Sequence, residues 1–264
     1  MTICSLRKDL MSTIKIALVQ MLCEKGAIDR NLASIHTYLQ AGRSQGVDIM
    51  CFPEMSITGY IDPTRCPEAV LHLNGPEVAR FVAMTKDIPM TAIAGLVEAN
   101  PQGKPFITQI VAHGGKLLGV YRKKTIADDE VAWFAAGSTV TVLHHPKVVF
   151  GLSICADIDN PAMFTENARL GARIVFEAAA PGLYGEQATR NWQTGYEWWQ
   201  HECWTKLGQY AADNNIYIAV ATQAGRTQDE DFPGGGYVFA PDGTCVCATS
   251  DWSEGMLYAI VTVE

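Results

Sequence analysis

Three stretches of this sequence end an apolar run on a side chain able to do chemistry. In CFPEMSITGY, Glu54 follows a strand-like run and stands behind Pro53, which cannot continue a central ladder. In GKLLGVYRKKTI, an alternating run ends on Lys123 and Lys124. In VVFGLSICAD, a third run ends on Cys155. A carboxylate, an ammonium and a thiol brought side by side would supply a nucleophile, its base and a stabiliser of negative charge. Taken singly, each residue has an ordinary explanation. A glutamate at a strand end meets solvent, paired lysines sit on the surface, and a cysteine after an apolar run packs in a core. Their value lies in the combination, provided the three strand ends lie together.

The periodicity supplies elements that could do this. Residues 14–21, IKIALVQM, alternate and are β-branched, and a helical pattern opens at Asp29 with Leu32, Ile35 and Leu39 on one face. Gly46 stops that helix, and VDIMCF, residues 47–52, reads as a second buried strand. Pro76 starts a helix carrying Val78, Phe81 and Val82. Three strands fall over residues 91–120, with Gly114-Gly115 as a hairpin turn. A second series follows: TVTVLHH, KVVFGLSIC, a helix over about residues 160–170 and the strand ARIVF. An aromatic-rich helix over residues 191–213, the strand IYIAVATQ, a hairpin about Pro241-Asp242-Gly243 and a last strand MLYAIVTV complete the chain. No low-complexity linker or short repeat divides it, so a single α/β layered domain over residues 12–264 is expected.

Bulk properties narrow the function. The 264 residues are 48% hydrophobic and 18% charged with mean hydropathy +0.05, which suits a soluble globular protein with a sizeable core. A net charge of −8 and no Lys/Arg stripe argue against nucleic-acid binding. No segment approaches the apolar length that spans a membrane. Residues 1–11, MTICSLRKDLM, lack the apolar run of a secretory signal and read as a disordered extension before a start at Met11. The eight cysteines of so large a chain read as free thiols in a reducing, cytoplasmic setting. There is no CxxC or HExxH spacing, so no metal site is expected.

With these residues in view, the sequence resembles the nitrilase, or carbon–nitrogen hydrolase, superfamily over residues 14–264. The family's glutamate motif matches Phe52-Pro53-Glu54, followed by Thr58-Gly59-Tyr60. Its lysine motif matches Tyr121-Arg122-Lys123, favouring Lys123 over Lys124. Its nucleophile motif matches Ile154-Cys155-Ala156-Asp157, with Pro161 and then Gly171-Ala172 at the expected offsets. A further family glutamate falls on Glu130, ahead of Phe134 and Gly137. The resemblance implies a four-layer α-β-β-α sandwich of the nitrilase type, a Glu54–Lys123–Cys155 triad, no cofactor or metal, and a homodimer or higher homo-oligomer. Departures are Ala211 and Asn214 where relatives carry Arg and Glu, and Gly236 in place of a Ser.

The activity so implied is hydrolysis of a small amide or N-carbamoyl amine. Cys155 would attack the carbonyl carbon and Glu54 would move the proton. Lys123, with the backbone N–H of Ala156, would hold the oxyanion, and the ammonium would favour the thiolate against burial. Glu130 would orient Lys123 or the substrate. Nitrile hydrolysis, acyl transfer to an amine and a non-catalytic binding scaffold are the alternatives, and Ala-Asp-Ile-Asp-Asn after Cys155 departs from the Trp-Glu pattern associated with nitrilases. Besides Tyr60, Glu177 in RIVFEAAAPG is a candidate for binding a cationic substrate group, unless it meets solvent, Arg173 or Arg190. Trp192 and Tyr196 are the aromatic residues most suited to wall a pocket, the rest of that helix serving packing.

Overall fold

Alternation in the first strand sorts its side chains between two layers. In β1 (Ser12–Gln20), Ile14, Ile16 and Leu18 belong to the core between two sheets, while Ala17 and Val19 join a second core under helices. The structure is a computed structural model that describes residues 12–263, so the extension expected over residues 1–11 lies outside the described residues.

Five further strands build the first sheet: β2 (Ile49–Cys51), β3 (Thr91–Glu98), β4 (Phe106–His113), β5 (Lys116–Arg122) and β14 (Gly255–Val263). Their order is β14-β1-β2-β3-β4-β5, with β1, β2 and β3 parallel. The second sheet has β6 (Val142–His145), β7 (Val148–Ile154), β8 (Ile174–Ala179), β9 (Tyr217–Thr222), β12 (Gly236–Phe239) and β13 (Cys245–Ala248). Its order is β13-β12-β9-β8-β7-β6, and its parallel centre is β7, β8 and β9.

Helices α1 (Ile28–Ser44) and α2 (Pro76–Met84) cover the first sheet through Leu32, Ile35, Leu39, Val78 and Phe81. Helices α3 (Pro161–Arg169) and α4 (Trp192–Asn214) cover the second, where Met163, Phe164, Trp199, Cys203 and Leu207 are buried. The result is the expected α-β-β-α order. Asn215 ends α4 at φ 50°, the left-handed cap conformation in which Asn is the usual substitute for Gly. No described helix is long and apolar enough to cross a membrane.

Two differences from the sequence reading affect the site. The strand expected over residues 47–52 is only Ile49–Cys51, although Asp48 and Phe52 keep backbone bonds to its neighbours. A short hairpin, β10 (Ala224–Arg226) with β11 (Asp231–Pro233), was not expected. Three-residue strands carry too little alternation to be read. Their turn is held by Thr227, whose N–H and hydroxyl both donate to the Glu230 carbonyl at 2.9 and 2.8 Å. Asp231, wholly buried, accepts from Arg190 at 2.8 Å and Arg226 at 2.9 Å, which ties the hairpin to the loop after β8.

Candidate active site

Each residue of the expected triad stands where an ordered strand gives way to a turn. After β2, Met55 takes φ 49°, turning the chain directly behind Glu54. This turn lies on Gly95 of β3, where a Cβ would overlap the Met55 nitrogen. Gly95 also fixes it with two hydrogen bonds, accepting from Ile57 N–H at 2.8 Å and donating to Ser56 Oγ at 2.9 Å. Lys123 extends β5 by one bond, its N–H donating to the Ile107 carbonyl at 2.9 Å, while Gly137 N–H donates back to the Lys123 carbonyl at 2.7 Å. Cys155 follows β7 at φ 44° and opens a 3-10 turn, Cys155–Asp159. A non-glycine residue in that region is strained, and here the strain sits at the proposed nucleophile.

Asp157 links two of these ends. Its carboxylate accepts from Ile154 N–H at 3.0 Å, Thr125 N–H at 2.7 Å and Tyr121 O–H at 2.7 Å. The Cys155 turn is thereby pinned to the residues on either side of Lys123. Burial lifts the Asp157 carboxyl above its ordinary range, with Tyr121 and the two backbone donors opposing. Sequence reading used Asp157 only as part of a motif. A buried acid two residues after a strand-end nucleophile was the available signal for a bracing role.

The three heads meet. Lys123 Nζ donates to Glu54 Oε1 at 2.9 Å and to both oxygens of Glu130, at 2.9 and 2.8 Å. Glu54 Oε2 accepts from Ala180 N–H at 3.0 Å, and the Cys155 thiol lies close enough for the Glu54 charge to act on it. Glu130 accepts from the Tyr60 hydroxyl at 2.5 Å and from Ala127 N–H at 3.1 Å. Glu54, Lys123 and Glu130 are all buried.

Two carboxylates around one ammonium leave an excess negative charge, and the electrostatics follow from it. Burial pushes the Glu54 carboxyl up to about 7; Lys123 opposes this and Glu130 adds to it. Burial works against the Lys123 ammonium, but Glu54, Cys155 and Glu130 outweigh it and hold the group protonated. The thiol departs from expectation. Burial first, then the Glu54 charge, push Cys155 well above its ordinary value, and Lys123 does not reverse this. Cys155 therefore rests as a neutral thiol beside a carboxylate that titrates near neutrality, and Lys123 spends its charge on the two glutamates.

Cys155, Lys123, Glu130, Tyr60 and Ala156 line a cavity of about 180 Å³, closed on the far side by Ala180–Tyr184, Trp198 and Glu230. It is smaller than the several hundred Å³ typical of sites for drug-sized ligands. A larger depression of about 430 Å³ adjoins it through Gly182, Leu183, Tyr184 and Trp198. Among the described residues no group of three or more His, Cys, Asp and Glu is arranged to hold a metal, and the seven described cysteines are unpaired.

Of the residues expected to contact substrate, the structure brings only Tyr60 to this cavity. Glu177 lies within β8, wholly buried, opposite Ser153 and Val220 in the register. It meets neither solvent nor Arg190, which is committed to Asp231 and to the carbonyls of Leu183, Tyr184 and Gly185. Tyr196 is buried in packing with its hydroxyl on the Thr249 carbonyl at 2.6 Å. Trp192 lies under the Arg226 guanidinium, 5.8 Å from it. Trp198, farther along α4, takes the place expected of them. Glu230 was missed altogether; the acidic run Asp229-Glu230-Asp231 was its only trace in the sequence.

Comparison with known proteins places the chain in a family. The carbon–nitrogen hydrolase family model matches residues 15–264. A glutamine-dependent NAD(+) synthetase of Acinetobacter baylyi is 25% identical over 96% of this chain, and the match covers 45% of that protein. A formamidase of Allorhizobium ampelinum is 26% identical over 95% of this chain and 71% of its own length. The chain thus spans less than half the length of the synthetase it matches. Among solved structures, an amidase of Nesterenkonia AN1 from the nitrilase superfamily superposes with a TM-score of 0.80 at 23% identity, covering 95% of this chain and 91% of that one. With a family model spanning the whole domain and a matching four-layer fold, this chain belongs to the carbon–nitrogen hydrolase family.

Proposed function

We propose that this chain hydrolyses a non-peptide carbon–nitrogen bond in a small amide or N-carbamoyl amine, through a thioester on Cys155. The observation that carries the reading is the buried Lys123–Glu54 ion pair next to the Cys155 thiol, with Lys123 and Cys155 lining one cavity. At neutral pH a fraction of Glu54 is ionised and Cys155 is a thiol, the protonation states that general-base attack requires. As Sγ bonds to the carbonyl carbon, its proton passes to Glu54. Glu54 returns that proton to the departing nitrogen as the C–N bond breaks, then takes a proton from the water that cleaves the thioester and passes it to the Cys155 sulfur as the C–S bond breaks.

Lys123 Nζ and the Ala156 N–H receive the oxyanion; one such donor is worth about 3–4 kcal/mol in the transition state. Glu130 keeps Lys123 in place, and is itself held by Tyr60 and Ala127. The small cavity favours a small acyl group. A non-catalytic scaffold is disfavoured by the positive φ at Cys155 and by the buried charges beside it, both of which cost stability.

An ammonia-release screen over small amides, N-carbamoyl amines and nitriles tests the reading directly. Carbon dioxide released with ammonia marks a carbamoyl substrate, and nitrile turnover would favour the nitrilase alternative. Cys155→Ala is expected to abolish release while keeping the fold by circular dichroism. Release at a rate comparable with the parent chain would remove Cys155 from its role.

A further inference from the structure

The triad requires a substrate in the cavity; what the walls add is its charge. The lining of the cavity carries three carboxylates, Asp129, Glu130 and Glu230, against the single ammonium of Lys123, a balance of −2. Lys123 is already engaged by Glu54 and Glu130. The adjoining vestibule continues the trend, with Glu24, Asp62, Asp129, Asp229 and Glu230 against Lys25 and Arg65, a balance of −3. An anionic substrate tail would enter against this field, and a cationic one along it.

Glu230 is placed to do more than add to the field. It lines both the cavity and the vestibule. Lys25 Nζ is shared between Glu230 Oε2 at 2.9 Å and Asp229 Oδ1 at 2.7 Å, so one cation serves two carboxylates. The other oxygen, Oε1, lies against Gly182, where a Cβ would overlap it. Gly182 belongs to the cavity wall, beyond the Ala180 N–H that holds Glu54. Burial pushes the Glu230 carboxyl up while Lys25 opposes, and the Asp229 and Asp129 charges act with burial. Asp129 is exposed at the same mouth.

Resting on the proposed amide hydrolysis, we infer that the substrate carries an alkylammonium group at the end remote from the scissile bond, received by Glu230 with Asp129. The methylenes between the two ends would lie along Leu183 and Trp198, which also line the cavity. This keeps the cationic substrate class that the sequence suggested and moves its recognition from Glu177 to the β10–β11 turn.

The test uses matched small amides of equal length: 4-aminobutanamide, pentanamide and succinamic acid, with kcat/KM for each. The parent chain should prefer the cationic amide to the neutral one, and the neutral one to the anionic. In Glu230→Gln the cationic-to-neutral ratio should fall about tenfold, the scale of one charge-assisted hydrogen bond. Asp129→Asn, at an exposed position that leaves folding alone, should lower it about threefold through charge alone. A parent chain that prefers the neutral or anionic amide overturns this inference and leaves the hydrolase reading standing. So does an unchanged ratio in both variants. No turnover of any amide, with Cys155 unmodified by mass, would overturn both readings together.

Discussion

Glu54 and Glu177 are equally and wholly buried, yet they are different chemical objects. Glu54 meets an ammonium at 2.9 Å and a backbone N–H at 3.0 Å, and its carboxyl is pushed up to about 7. Neither oxygen of Glu177 makes a hydrogen bond of ordinary geometry. Burial pushes it well above the carboxylate range; the Ser153 hydroxyl and, by charge alone, Lys123 oppose this weakly. Burial is common to both, so it is not what makes a general base. The difference is a cation and a fixed donor close enough to keep the ionised form accessible at neutral pH.

The largest expected effect separates the two acids by activity. Glu54→Gln should lower kcat/KM by about 10²–10⁴, the range for a lost general base, whereas Glu177→Gln should stay within about threefold. Equal losses in steady-state assays would dissolve the distinction. Next in size is pH dependence. Since Glu54 must be ionised to act, kcat/KM should rise about tenfold per unit below pH 7 and level off above it. Alkylation of Cys155 by iodoacetamide, followed by peptide mass, should show the same limb. It should keep it in Glu177→Gln and lose it in Glu54→Gln; a limb near pH 9 in the parent chain would mean that the thiol ionises unaided.

Stability should move in the opposite sense. A carboxyl raised in the folded state binds its proton more tightly there than in the unfolded chain. The unfolded form therefore gains from ionisation first, and stability falls as pH rises above about 4.5. Glu54 contributes this slope up to about pH 7, and the raised Glu177 carboxyl adds to it in the same direction. Glu177→Gln, which mimics the protonated acid, should flatten the slope and raise Tm at pH 8 by roughly 3–8 °C. A lower Tm at pH 8 would show that Glu177 is ionised and paired in the fold. The smallest effect belongs to Asp157, a buried carboxylate with donors but no bonded cation. Tyr121→Phe removes one donor and should cost about 1 kcal/mol by chemical denaturation, with a few-fold loss in kcat. Unchanged values for both would show that Tyr121 does not brace the turn.

The strand ends bearing Glu54, Lys123 and Cys155 were legible because each motif is local, a run of apolar alternation closed by Pro or by a polar turn. Glu177 was misplaced for a physical reason. Strands at the parallel centre of a covered sheet are buried on both faces, so RIVFEAAA has no alternation to say which side chains meet water. In α4, aromatic residues fall on more than one face: Tyr196 and Trp199 are buried while Trp198 and Trp204 are exposed, and spacing alone could not choose the cavity member.

By itself the sequence determined the kinds of groups available and the elements that end on them, since backbone propensity and side-chain alternation act over a few neighbouring residues. Only the tertiary structure decided the company each group keeps. Lys123 became the shared partner of two carboxylates, Cys155 a neutral thiol, and Glu230 a wall of the cavity. Those outcomes depend on distances between segments as much as 205 positions apart, as in the Lys25 to Glu230 pair, and Coulomb energies and desolvation are set by such distances.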